Sequence, residues 1–389
     1  MNTVTKRLFI AATQQNDGKT TVALGIFGAL RKTQGRIGFI KPVGQRFVEI
    51  EGHKIDEDTV LIDQTYGIGS PLEAISPIAV EPEFTRRFIQ QANTDVLVRR
   101  IQNSFDRAAW EKDFVIIEGT GHAGVGSVFD LSNARVARLL DSKAILITRG
   151  GIGRPIDEIA LNRAVFEKEG VELLGVILNK IHPEKHDHIV DFARRGFERL
   201  GIELLGAIPA DPLLSHPTLG QVCKSVNGEF ISARASSRRL VRHVLIGDMA
   251  TGHLLTLFRP GTLLITPGNR DDVVLAALSH TGKHPRGICG LVMSYGHHPH
   301  ESVMKLLQES ELPAISSAMD SYSIANTLQS MTVKTLPGDN EKIQQIQSLV
   351  EQHVNVPRII EKLAASGADA PVGTAASVEN DGPAPSDAA

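Results

Sequence analysis

Cysteine is scarce in this chain: only Cys223 and Cys289 occur in 389 residues. They lie far apart beside apolar neighbours, which fits buried thiols in a reducing cytoplasm and not a disulfide scaffold. An excess of one charge is also lacking. Lysine and arginine number 41 against 44 aspartates and glutamates, a formal net charge of -3. That leaves no electrostatic footprint for nucleic acid or for an anionic membrane surface, and neither partner is expected. Long apolar runs are missing too. The longest, such as residues 144–148, suit buried strands and fall far short of the roughly 20 residues a transmembrane helix needs. The opening MNTVTKRLFIAA has a basic pair and a short apolar run, but the polar QQNDGK after it offers no small-residue cleavage site. A strand is therefore expected there, not a signal peptide.

At 42% hydrophobic and 22% charged residues the composition is that of a globular chain, long enough for two domains. From residue 6 to about 210, short apolar runs alternate with longer amphipathic stretches, the pattern of βαβ units around a parallel sheet. Strands are expected over 7–12, 36–41, 114–118, 144–148, 173–179 and 204–208, with helices over 20–32, 83–110 and 155–169. The proline-rich stretch from Pro209 to Pro217 continues neither element and marks a boundary. A second, smaller α/β unit follows, with strands over 241–246, 262–265 and 288–293 and helices over 271–280, 299–310 and 322–328. The expected domains are 1–211, 212–335, a closing helix within 336–365, and a tail over 366–389. That tail is Ala, Gly, Pro, Ser and Asp with little apolar content, too poor in burial to offset the entropy of ordering.

The chemistry concentrates at the first strand. LFIAATQQNDGKTTVALGIFGAL reads as buried strand, polar loop and helix, the context a phosphate loop requires. Asp17, Gly18, Lys19, Thr20 and Thr21 are the expected nucleotide contacts. Gly18 lets backbone N–H groups close on phosphate oxygens, Lys19 neutralises charge, Thr20 offers a hydroxyl to Mg²⁺, and the helix N-terminus adds a positive dipole. The match to GxxxxGK[ST] is incomplete, since Thr13 stands at the first glycine; the entry turn is made without that residue's freedom at positive φ. Glu118 ends the strand FVIIE, beside where the loop lies in a doubly wound sheet, and is a candidate for Mg²⁺ or an ordered water. Lys41 ends the second strand on the same edge.

GKTT after the first strand, KPVG after the second, DEDTVLI in the next helix, IIEGTGH near the third and ILNK near the fifth resemble dethiobiotin synthetase. They resemble still more the dethiobiotin-synthetase-like N-terminal region of long phosphate acetyltransferases, because the second unit also fits. HPTLGQV at 216–222 and TPGNRDDV at 266–273 are similar to the opening and core of a DRTGG domain, although the name-giving Thr-Gly-Gly is replaced. The resemblance spans about residues 6 to 335. It implies Mg-ATP as ligand, with Lys19 and Thr20 on phosphate and metal, and Asp58 and Glu118 completing the Mg²⁺ shell. It also implies Asn179 against adenine, Pro209 lining the base, and Lys19 and Lys41 as the catalytic cations, Lys41 holding a negatively charged substrate. Gln45 stands where the synthetase has serine, and Arg46 adds a charge, so the diamino-acid pocket and biotin synthesis are not expected. The chain stops where an acetyltransferase catalytic domain would start, so acetyl transfer is not assigned to it.

Two features are set aside. The histidines at 182, 186, 188, 280, 284, 297, 298 and 300 lack companions at metal-site spacing and are expected to be solvated in loops. Residues 150–155, GGIGRP, suit a strand-to-helix connection with proline at the helix start. Three functions remain: an ATP-dependent enzyme activating a small anionic metabolite, a nucleotide- and metabolite-sensing regulatory protein linked to acetyl-phosphate metabolism, and a partitioning-type switch ATPase. The expected partners are a small metabolite and a second copy of the chain in a homodimer.

Overall fold

In the computed structural model, which describes residues 2–280 and 287–365, the first unit is built on six parallel strands: β1 (Lys6–Ala12), β2 (Ile37–Ile40), β3 (Phe114–Glu118), β4 (Lys143–Arg149), β5 (Leu173–Ile181) and β6 (Leu204–Pro209). Their spatial order is β6-β5-β4-β1-β3-β2. The chain leaves β1 for the far edge at β2, returns through β3 and then crosses to β4. That reversal makes β1 the switch point, where crossover loops diverge and leave a crevice at the carboxyl ends of the strands. Leu8 to Ala12 and Phe114 to Ile117 are all buried, as strands covered on both faces require.

Helix α1 (Lys19–Arg31) follows β1, and α2 (Glu57–Tyr66) follows a two-stranded ribbon of Phe47–Ile50 and His53–Asp56. Where one helix is expected over 83–110, the structure has two, Phe84–Gln90 and Thr94–Ala108. Asn93 breaks the run by accepting a hydrogen bond from the Val96 N–H, a cap that starts a new helix.

The second unit is a five-stranded sheet of β7 (Glu229–Ser232), β8 (His243–Ile246), β9 (Thr262–Pro267), β10 (Gly290–Ser294) and β11 (Ala314–Ser316), in the order β7-β11-β10-β9-β8. Only β7 runs antiparallel to its neighbour. The edge strand β7 and its neighbour β11 are short and weakly patterned, and the sequence reading lacks both. Helix α3 (Leu219–Ser225) enters this unit under a capping box of Thr218 and Gln221, and α4 (Ser321–Ser330) leaves it.

The closing segment is two helices and not one: α5 (Asn340–His353) and α6 (Val356–Ala364). Asn355 caps α6 and Pro357 sits in its first turn, a position where proline's missing N–H costs nothing. Both helices return to the first unit. Ile343, Ile346, Leu349, Val350, Val356 and Ile359 belong to the same core as β1 and α1. Helix α5 lies so close to α1 that a Cβ on Gly25 would stand 2.3 Å from Val350 Cγ2. Gly25→Val is therefore expected to destabilise the fold by about 1–3 kcal/mol through overpacking, a loss that thermal unfolding measures directly. The tail 366–389 and His284 lie outside the described residues.

Candidate functional site: a phosphate loop facing a carboxylate cluster

The loop between β1 and α1 gets its shape from Asp17. This buried side chain accepts hydrogen bonds from the Gln14 N–H (2.8 Å) and the Thr13 hydroxyl (3.0 Å), and pairs with Arg149 at 3.2 Å. Expected among the nucleotide contacts, Asp17 is instead turned into the loop and is not among the residues that line the cleft. Thr13, at the missing glycine, needs no left-handed backbone. It bonds to Thr148 at 2.9 Å and Glu158 at 3.1 Å, while the left-handed positions fall at Asn16 (φ 67°) and Gly18 (φ 102°). A Cβ on Gly18 would also meet Asn179 Nδ2 at 2.1 Å, so glycine is required there by both backbone and space.

A cleft of about 430 Å³ opens at this edge of the sheet, within the range of small-ligand sites. It is lined by Gly18, Lys19, Thr20, Thr21, Lys41 and Glu118 among others. Lys19 is 8% exposed. Its ammonium donates to the carbonyls of Gly121 (2.9 Å) and Gln14 (3.5 Å), and it forms no ion pair among the described residues. Burial pushes its pKa down to about 8, against the opposing pull of Glu118.

Opposite the loop, Lys41 is surrounded by carboxylates. Its ammonium pairs with Asp58, with Asp56 at 2.9 Å and with Glu118 at 3.4 Å. Burial opposes charge on Lys41, but Glu118, Asp58 and Asp56 outweigh it and hold its pKa well above the ordinary value. Burial pushes Glu118 up to about 7 despite Lys41, and raises Asp56 as well. For Asp58, Lys41 and Lys334 overcome the burial cost and hold the carboxyl below the usual range. Charge–charge coupling of this kind distributes protons over the cluster as a whole.

Whether this group suits a Mg²⁺ ion is decided by Glu118. Its Oε1 accepts the Thr20 hydroxyl at 2.8 Å, whereas its Oε2 is buried with no hydrogen-bond partner. A buried, unpartnered carboxylate oxygen beside a phosphate loop is the kind of hard ligand Mg²⁺ takes. Among the described residues no trio of His, Cys, Asp or Glu is placed to hold a metal alone. The donor set therefore fits an ion bound through one or two carboxylates, Thr20 and the oxygens of a phosphate ligand. Asp58, the second carboxylate, is held in one orientation, Oδ2 by Lys41 and Oδ1 by Lys334, each oxygen keeping a further lone pair for an ion.

Asn179 lines the cleft, yet its amide is committed to the protein: Nδ2 donates to the Asp17 carbonyl (2.8 Å) and Oδ1 accepts the Lys180 N–H (2.9 Å). Pro209 lines the same cleft, together with Leu24, Ile208, Leu214, Ile346 and Leu349. The last two come from α5, and nothing local in the sequence places them there. Asp56 was also missed, although the DED run carries the N-cap signal: Asp56 accepts the Asp58 N–H at 2.9 Å and so caps α2. Among the described residues no histidine lines the cleft. His186 and His188 lie on the helix His186–Arg199 and not in a loop, and His300 caps Glu301–Glu309.

An AAA domain matches residues 6–218, more than half of the chain. The chain belongs to the AAA domain family. A DRTGG domain matches residues 221–331, directly after that AAA domain. The phosphate acetyltransferase of Pseudomonas aeruginosa is similar across most of the chain, 28% identical over 364 residues that cover 89% of this chain and 50% of that protein. The Nitrosomonas europaea enzyme is 27% identical, with 91% and 51% covered. The chain spans about half the length of the curated relatives it matches. Among solved structures, the septum site-determining protein MinD with Mg-ADP from Pyrococcus horikoshii is similar over 54% of this chain and 83% of that one, at 19% identity and TM-score 0.34. The CBS and DRTGG domains of Clostridium perfringens pyrophosphatase, complexed with diadenosine tetraphosphate, are similar over 36% and 62% at 16% identity and TM-score 0.25. Among the described residues no helix is long and apolar enough to cross a membrane.

Proposed function

We propose that the chain binds Mg-ATP in the cleft at the carboxyl edge of the first sheet and acts as a nucleotide-sensing regulatory unit. The observation that carries the reading is Lys19. A buried ammonium that, among the described residues, is held by two carbonyls beside a helix N-terminus is a positive charge kept for a phosphate. Thr20 and Glu118 would hold the Mg²⁺, which supplies neutralisation of phosphate charge. Asn179 and Asp17 keep the loop in shape, and Pro209 with the apolar residues of α5 supports a base.

A regulatory role is favoured over a ligase because Lys41, the lysine expected to hold an anionic substrate, is already enclosed by Asp56, Asp58 and Glu118. A cation so neutralised attracts a second anion weakly. A DRTGG domain match directly after the AAA domain, in a chain similar to about half the length of phosphate acetyltransferases, supports the same reading. Calorimetric titration tests the binding step, with saturable Mg-ATP uptake expected at one site per chain. ADP formation assayed with a panel of small carboxylates and amines tests the rest. Absence of uptake overturns the reading, and turnover stimulated by a panel member replaces regulation with ligase chemistry.

A further inference from the structure

The chain that leaves the second unit at α4 does not return directly to α5. Residues 331–335 run along the nucleotide cleft first, and all five line it. Lys334, in this strap, reaches Asp58 at 3.2 Å and Glu57 at 3.3 Å on the first turn of α2. The strap is held from the other side as well: the Lys334 carbonyl accepts a hydrogen bond from Gln221 Nε2 at 2.7 Å. Gln221 belongs to the capping box that starts the second unit, where its Oε1 accepts the Thr218 N–H at 2.9 Å. Beyond the strap, α5 enters the core of the first unit and contributes Ile346, Leu349 and Val350 to the same cleft.

We propose that the nucleotide cleft is a two-domain site in which Lys334, anchored by Gln221 of the second domain, is a positioning residue that holds Asp58 for the metal-bound nucleotide. This deepens the proposed function and rests on it. Asp58 has two basic partners on two separate parts of the fold, Lys41 after β2 and Lys334 in the strap. Lys41 already engages Oδ2, so Lys334 is the contact that fixes Oδ1; without it the carboxylate is free to rotate about the Lys41 pair, and its share of metal binding is lost. The coupling runs in both directions. If the seated strap favours metal-bound nucleotide, bound nucleotide must favour the seated strap, and through Gln221 the placement of α3.

The test measures ATP affinity with and without Mg²⁺ for the wild type, Lys334→Gln, Lys334→Arg and Gln221→Ala, alongside hydrogen exchange over 219–225 and 331–335. In Lys334→Gln the ratio of Mg²⁺-supported to Mg²⁺-free affinity is expected to fall about tenfold, as typical of coupled sites. Lys334→Arg restores most of it, and Gln221→Ala falls between. Mg-ATP slows exchange over both segments in the wild type and fails to do so in Lys334→Gln. An unchanged or higher ratio in Lys334→Gln, or equal losses with and without Mg²⁺, overturns the assignment while leaving nucleotide binding intact. A wild type that binds no ATP overturns the functional reading itself, and this inference with it.

Discussion

Lys19→Ala is expected to lower Mg-ATP affinity by at least about a hundredfold, the loss of a charge-assisted contact in a dry site, while leaving the thermal unfolding midpoint unchanged or raised. The two halves of that result have one cause. In the free protein the Lys19 ammonium is almost fully buried and, among the described residues, donates to the carbonyls of Gly121 and Gln14 without an ion pair, so the fold bears a desolvation cost that two carbonyls do not return in full. Burial accordingly pushes its pKa down to about 8. A phosphate returns that cost; alanine removes both the cost and the return. If Lys19 were instead a structural residue, the same substitution would lower stability and spare affinity. Calorimetry and thermal melts on one preparation separate the two.

How much of this site was open to sequence reading depends on how local its causes are. The loop from Asp17 to Thr21 and the strand ends at Lys41 and Glu118 follow from neighbouring residues, because apolar runs fix the strands and strand ends fix the edge of the sheet. Glu118 lands beside Thr20 because β3 pairs with β1 in register Ile10 to Glu118. The role of Asp17 did not follow, since an acid in a phosphate loop has the composition of a ligand contact whether it faces the ligand or the loop. The three-carboxylate enclosure of Lys41 depends on the ribbon that delivers Asp56, two short strands with little apolar content. Lys334 lies 276 positions from Asp58, and no local pattern distinguishes it from a solvated lysine. The return of α5 to the first core was equally hidden: an amphipathic helix records that it is covered, not by what. The small glycines of α1 record it only once Val350 is seen against Gly25.

Mg-ATP affinity is expected to rise with pH up to about 7 and to fall above about 8, and Glu118→Gln is expected to flatten the acid limb. Glu118, buried and pushed up to about 7 from an ordinary 4.5, holds a proton in the folded protein that the unfolded chain has already released. Its contribution to stability is therefore full below about 4.5 and is lost as pH rises through about 7. Metal binding needs the carboxylate, so below about 7 each ion bound must expel that proton, and affinity drops by about tenfold per pH unit. Lys19 sets the other limb with the opposite sign. Its pKa is lowered from 10.5 to about 8, so its contribution to stability is present above about 10.5 and lost as pH falls through about 8. Phosphate binding needs the charged form, and above about 8 the free site must first take up a proton. The nucleotide's own phosphate ionisation acts equally on wild type and variant, so it cancels when the two profiles are divided. An acid limb of full slope in Glu118→Gln would place the metal on another group and remove Glu118 from the site.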